Sequence, residues 1–131
     1  MTRTHQIAVI PGDGIGVEVT EATFAVLDAV ETRINGYHLC CSELMAGAAY
    51  YRDTGQDIEV DGEERSGQAD AIYLGAIGLP EIRAKDGTEI SPHLRLREQF
   101  ELYAGLRPIR AYQGAPVALK DSRAADLDLV I

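Results

Sequence analysis

Ile7-Ala8-Val9-Ile10-Pro11-Gly12-Asp13-Gly14-Ile15-Gly16 is the stretch whose reading decides the fold. Its four apolar residues predict a short buried strand, its three glycines a tight turn, and the amphipathic segment that follows a helix. Backbone amides at such a strand–turn–helix corner face outward with no side chains in the way, so an anionic or phosphate-bearing ligand can approach them closely. The run is not the dinucleotide fingerprint. Val17 stands where the third glycine of G-x-G-x-x-G belongs, and Glu43 lies too far on to be the ribose-binding acid. A tight corner that needs small residues is the competing reading of the same glycines.

Working outward, strand, turn and helix alternate. Val17 to about Thr32 carries Val19, Ala22, Val26 and Val30 at helical spacing, and Asn35-Gly36 closes that helix. Residues 37–41 read as a second strand. A short helix is predicted from Met45 to Arg52, ended by Asp53-Thr54-Gly55, and another from Ile58 to Gln68. Ala71-Ile72-Tyr73-Leu74 is the next buried strand, with Gly75 to Pro80 as a turn. A polar loop from Glu81 to Ser91 leads into a helix from Pro92 to Tyr103, with Leu96, Phe100 and Tyr103 on one face. Residues 106–110 read as extended, Pro116 to Leu119 as a short strand or loop, and residues 127–131 as strand. A domain rarely ends on the apolar residues of a central strand, so the chain is expected to be a piece of something longer.

The composition narrows the function classes. With 131 residues, 46% of them apolar, and no repeat or low-complexity tract, the chain reads as globular. A formal charge of -9 argues against a nucleic-acid surface and against docking on anionic lipid. No apolar run approaches membrane-spanning length, and the polar N-terminus carries no signal-peptide core. Adjacent Cys40 and Cys41 would form a strained disulfide, and are read as reduced, mostly buried residues of a cytoplasmic protein.

The arginines suggest chemistry. Arg95, Arg97, Arg107 and Arg110 gather in an otherwise acidic chain, where solvated helix faces are the ordinary explanation. Arg107 differs, since it precedes a proline in the apolar segment 104–109. It is expected to be partly buried, hence paired with a carboxylate or waiting for one. Two guanidinium groups converging on a small acid would suit a di- or tricarboxylate.

The chain resembles the amino-terminal part of the β-decarboxylating dehydrogenases, the isopropylmalate/isocitrate/tartrate dehydrogenase family. Four pieces carry the resemblance, in order and in register: residues 10–16, residues 46–50 with Thr54-Gly55, residues 70–80, and Leu96-Arg97 through Leu106-Arg107-Pro108. It implies an α/β, isopropylmalate dehydrogenase-like fold that is incomplete here. Residues 1–100 would belong to the large α/β domain, and 101–131 would begin the second, dimerisation and substrate domain.

By motif position the resemblance assigns Arg97 and Arg107 to the carboxylates of the substrate, with Ser91, His93 and Leu94 at its variable part. It places Ile10, Gly75, Ala76, Thr88 and Glu89 on the cofactor side. His93-Leu94 stands where isopropylmalate enzymes tend to have two leucines, and His93 is equally read as capping or packing at the helix start. The implied reaction is oxidative decarboxylation of a small 2-hydroxy acid with NAD or NADP and Mg²⁺ or Mn²⁺, by a cytoplasmic homodimer. 3-Isopropylmalate is favoured, with tartrate, malate and isocitrate close behind. The metal cage, the catalytic base and the adenosine loop would follow the point where this chain stops. No catalytic or metal residue is therefore assigned within it, and Asp13, Asp70, Asp86 and Asp121 are read as turn or solvent residues. The alternative is a non-catalytic, truncated homologue that binds a carboxylate or serves as a regulatory partner subunit.

Overall fold

Of Ile7–Ile10, Ala8–Ile10 are buried and Ile7 half-buried within a longer strand, β1 (Arg3–Gly12), in a computed structural model describing residues 2–112, 114–116, 119–120 and 126–131. The strand begins at Arg3 rather than Ile7 because β2 (Tyr37–Glu43) pairs with it from Arg3↔Tyr37 onward. Main-chain pairing draws the polar residues into the ladder while their side chains stay largely outside. β3 (Ala71–Ala76) pairs on the other side, giving a parallel sheet in the order β2-β1-β3. Gly75 and Ala76, expected in a turn, extend β3, since Ala76 still pairs with Gly12.

α1 (Ile15–Arg33) connects β1 to β2. It packs through Gly16 and Thr20, and Phe24 meets Tyr73 edge-on at 5.2 Å. Val19 and Val26 of the predicted stripe are exposed instead, Val26 by 62%. Between β2 and β3 come α2 (Ala48–Thr54) and α3 (Gly62–Gln68), each starting later than the spacing suggests. Ala46 and Ile58 are held in an antiparallel bridge, and Asp61 adopts a left-handed φ of 68° that breaks the chain before α3. The core gathers Ala8, Ile10, Leu44, Ala46, Ile58 and Leu96, with Ile72, Ile77 and Phe100 against it.

After β3, residues 81–91 form no helix or strand, although Arg83 bridges Glu89. α4 (Pro92–Gln99) follows, and it stops before Tyr103 because Glu101 turns to φ 51°. Leu96 is buried and Phe100 half-buried, but Tyr103 is fully exposed. Cys40 and Cys41 are free and exposed, against expectation, because β2 is an edge strand with those positions uncovered. Partial desolvation, aided by the charges of Asp28, Cys40 and Glu31, still pushes the Cys41 thiol up, away from the reactive thiolate.

The chain divides into two compact units, Met1–Phe100 and Glu101–Ile131. In the second, β4 (Pro108–Arg110) pairs antiparallel with β5 (Asp128–Val130), and Arg107 and Ile131 exchange main-chain hydrogen bonds of 2.8 and 3.0 Å. Val117, Ala118 and Asp121 lie outside the described residues.

Candidate functional site

β1 lies between β2 and β3, so the chain leaves its carboxyl end toward one neighbour and returns to the other. Parallel sheets bind ligands in the crevice at such a switch point. That rule places a candidate crevice at the carboxyl ends of β1 and β3, where glycines let the main chain pack closely. A Cβ on Gly12 would lie 1.9 Å from the Ala76 carbonyl oxygen, and one on Gly16 or Gly75 would lie 2.3 Å from the Pro11 carbonyl oxygen. Gly12, Gly16 and Gly75 therefore serve close backbone packing, and they offer no open cradle for an anion. Asp13 N donates to the Ala76 carbonyl at 2.7 Å, and Gly16 N donates to the Asp13 carbonyl at 2.8 Å.

Asp13 is not a solvent residue. It is 3% exposed. Its Oδ2 accepts from Ala48 N at 2.7 Å and from Gly78 N at 3.0 Å, and its Oδ1 accepts from Ala49 N at 2.8 Å. A carboxylate 35 residues away thus caps α2, whose own N-cap, Gly47, has no side chain to offer. A Cβ on Gly47 would meet Asp13 Oδ2 at 2.4 Å. The sequence held a signal for this role, an aspartate between glycines at the end of a buried strand, matched by a later Gly-Ala-Ala.

The second cluster surrounds the start of α4. Thr88, Glu89 and Ser91 line an open depression of about 530 Å³ together with Tyr51, Asp57 and Arg95. Glu89 reaches Arg83 at 3.2 Å. Ser91 holds the N-cap position without a side-chain hydrogen bond to the helix. His93 is half-buried, its Nδ1 has no partner among the described residues, and burial, then the nearby Arg97 charge, holds its pKa below the ordinary value. Leu94 is exposed.

The two arginines of α4 have different surroundings. Arg95 hydrogen-bonds both oxygens of Asp57 at 2.8 and 3.1 Å and reaches Glu63 at 2.5 Å. Arg97 is exposed and has no carboxylate partner among the described residues. In the second unit, Arg110 pairs with Asp128 at 3.4 Å. Arg107 is exposed rather than partly buried, because the apolar residues around it are themselves uncovered, Leu106 included.

Of the residues placed on the cofactor side, Ile10 is a core residue, 1% exposed, which leaves only its main chain available. Gly75 and Ala76 stand at the carboxyl end of β3, beside the crevice. Gly78 has φ 128° and open space where a Cβ would sit. A cavity of about 490 Å³, lined by Val9, Gly12, Thr20, Phe24, Cys41 and Met45 among others, includes none of the residues placed on the cofactor side.

Residues 6–131 match the family described as isocitrate/isopropylmalate dehydrogenase. The chain belongs to that family. It is 40% identical over 129 residues to a 3-isopropylmalate dehydrogenase of Thermobifida fusca, covering 98% of this chain and 36% of that one. A decarboxylating D-malate dehydrogenase of Escherichia coli is 35% identical over 132 residues, covering 100% and 36%. The solved isocitrate dehydrogenase of Methylococcus capsulatus superposes with a TM-score of 0.74 at 25% identity, over 96% of this chain and 33% of that one. This dehydrogenase-family chain thus spans little more than a third of the length of the curated relatives it matches.

The family uses NAD(P) and a divalent metal. At Gly78 a Cβ would meet nothing within 4 Å, so the main chain there is open to a ligand's approach. A metal does not fit: among the described residues no group of three or more His, Cys, Asp or Glu could hold one. Asp70 accepts from Gln6 N at 2.8 Å, and Asp86 is held below its ordinary pKa by the Thr88 hydroxyl and then the Thr88 amide. No metal-bound step is therefore assigned to these residues. Among the described residues no helix is long and apolar enough to cross a membrane.

Proposed function

We propose that the protein carries the acid-binding part of an NAD(P)-dependent β-decarboxylating dehydrogenase acting on a small 2-hydroxy acid, 3-isopropylmalate first and tartrate, malate or isocitrate next. The observation that carries this reading is the contrast on α4. Arg95 is saturated by two carboxylates of its own chain, while Arg97 offers its guanidinium to solvent. A planar fork with no carboxylate partner among the described residues suits a carboxylate from outside. Arg107, in the second unit, is assigned to the same acid by motif position. Ser91, His93 and Leu94 stand on the first turn of the same helix as Arg97, where the side group that distinguishes one acid from another would meet them.

Bound NAD(P)⁺ would accept the hydride from the hydroxyl-bearing carbon. The residues of this chain bind and orient: Arg97 fixes the acid, and the main chain at Gly75, Ala76 and Gly78, with Thr88 and Glu89, borders the nucleotide. The family resemblance extends the reading to a divalent metal ion and to a cytoplasmic homodimer.

The test is nucleotide reduction at 340 nm by the full-length protein with Mg²⁺ or Mn²⁺ and, in turn, 3-isopropylmalate, isocitrate, D-malate and tartrate. Metal-dependent turnover of one acid is expected. Silence with all of them, from a folded protein, would leave a carboxylate-binding or regulatory homologue.

A further inference from the structure

We propose that Asp13 is a positioning residue, one that holds the Ala76–Gly78 main chain in the place where the nucleotide meets it. The inference rests on the functional reading above and adds a residue to it. Asp13 grips that segment at two points: its own N–H binds the Ala76 carbonyl at 2.7 Å, and its Oδ2 accepts from Gly78 N at 3.0 Å. The remaining bonds, to Ala48 N and Ala49 N, anchor the carboxylate to the first turn of α2.

A cap for α2 alone would need no bond to Gly78. A turn after β3 alone would need none to α2. The carboxylate does both, so the crevice wall is referenced to a buried helix rather than left to a loop. Gly78 is where this matters, since it has a left-handed φ of 128° and no side chain packed against a neighbour to hold it. Gly47 is glycine on two counts, its left-handed φ of 116° and the Asp13 Oδ2 that a methyl group there would strike.

The experiment compares the full-length protein with Asp13→Asn. The substitution keeps the size but turns one end of the side chain into a donor facing an N–H. Gly36→Ala, strained at φ 123° in a remote exposed turn, supplies a destabilised comparator. Binding of NADH and NADPH is followed by fluorescence titration, Gly78 amide exchange by NMR, and the KM of the acid separately. The expected result is about tenfold weaker nucleotide binding and faster Gly78 exchange in Asp13→Asn, with the KM of the acid within twofold and native nucleotide binding in Gly36→Ala. Should Asp13→Asn not fold, Gly47→Ala presses on the same carboxylate and is read in the same way. Equal nucleotide affinity in the variant and the unsubstituted protein overturns the assignment alone. Failure of both variants to fold makes the carboxylate a requirement of the fold only, and also overturns it. Absence of nucleotide binding in the unsubstituted protein overturns the functional reading together with this inference.

Discussion

Arg95 grips Asp57 through two parallel hydrogen bonds of 2.8 and 3.1 Å, tying α4 to the segment that follows α2. The tie leaves Arg97, on the same short helix, as the cation without an internal partner among the described residues. α4 is only eight residues long, too short to be stable by itself, so its placement depends on Leu96 in the core and on this ion pair at the surface.

Arg95→Ala is therefore expected to lower stability by about 0.5–1 kcal/mol, a small figure because the pair is half-exposed and screened by solvent. Thermal unfolding in low and high salt checks this. The gap between variant and native protein should narrow as salt rises.

Gly75→Ala should cost far more, about 3 kcal/mol, because its methyl group would sit 2.3 Å from a main-chain oxygen that cannot move aside. Gly67→Ala in α3 meets only the Phe100 ring edge at 3.1 Å, and helix propensity favours alanine there. It should stay within about 1 kcal/mol of native. Urea unfolding of the two variants measures the contrast.

His93 gives the molecule a pH dependence of defined sign. Burial, and secondarily the Arg97 charge, keeps its folded pKa below the ordinary 6.5. The unfolded chain therefore binds the proton more readily than the folded one. The stability contributed by the neutral ring is fully present above pH 6.5 and is lost as pH falls through the lower folded value. Between pH 7.5 and about 5 the native protein should lose melting temperature more steeply than His93→Gln. Imidazole NMR titration of Arg97→Ala should show the His93 pKa moving upward, since one of its two causes is removed.

The physical reasons for what could be read in the sequence are local. Ile7–Ile10 and Ala71–Leu74 are apolar runs bounded by glycine and polar residues, and both became parallel strands, but only the first is buried: β3 lies at the sheet edge, Ile72 is half-buried against the core and Leu74 is 39% exposed. The extension of β1 back to Arg3 and of β3 on to Ala76 depends on pairing with distant strands, which local pattern does not encode. Val19 and Val26 share a helical face, but the sheet is met by Gly16 and Thr20, whose small side chains allow closer approach. At the site, the arginine pattern pointed to an acid, yet which arginine is already neutralised depends on Asp57 and Glu63, brought from another part of the chain. Asp13 does stand in the turn after β1, but the burial of its carboxylate could not be read locally because its partners lie 35, 36 and 65 residues away. Arg107 was misread because apolar neighbours in sequence do not ensure cover in space.

The most direct test of the account is Arg97→Ala in the full-length protein, with the KM of the acid and the nucleotide dissociation constant measured side by side. Loss of a charge-assisted hydrogen bond, about 1.5–3 kcal/mol, predicts a KM raised roughly 10- to 100-fold. Melting temperature and nucleotide affinity should be unchanged, since Arg97 is exposed and has no carboxylate partner among the described residues. An unchanged KM for every acid the native protein turns over, or an equal loss of nucleotide binding, would contradict the assignment of Arg97 to the substrate carboxylate.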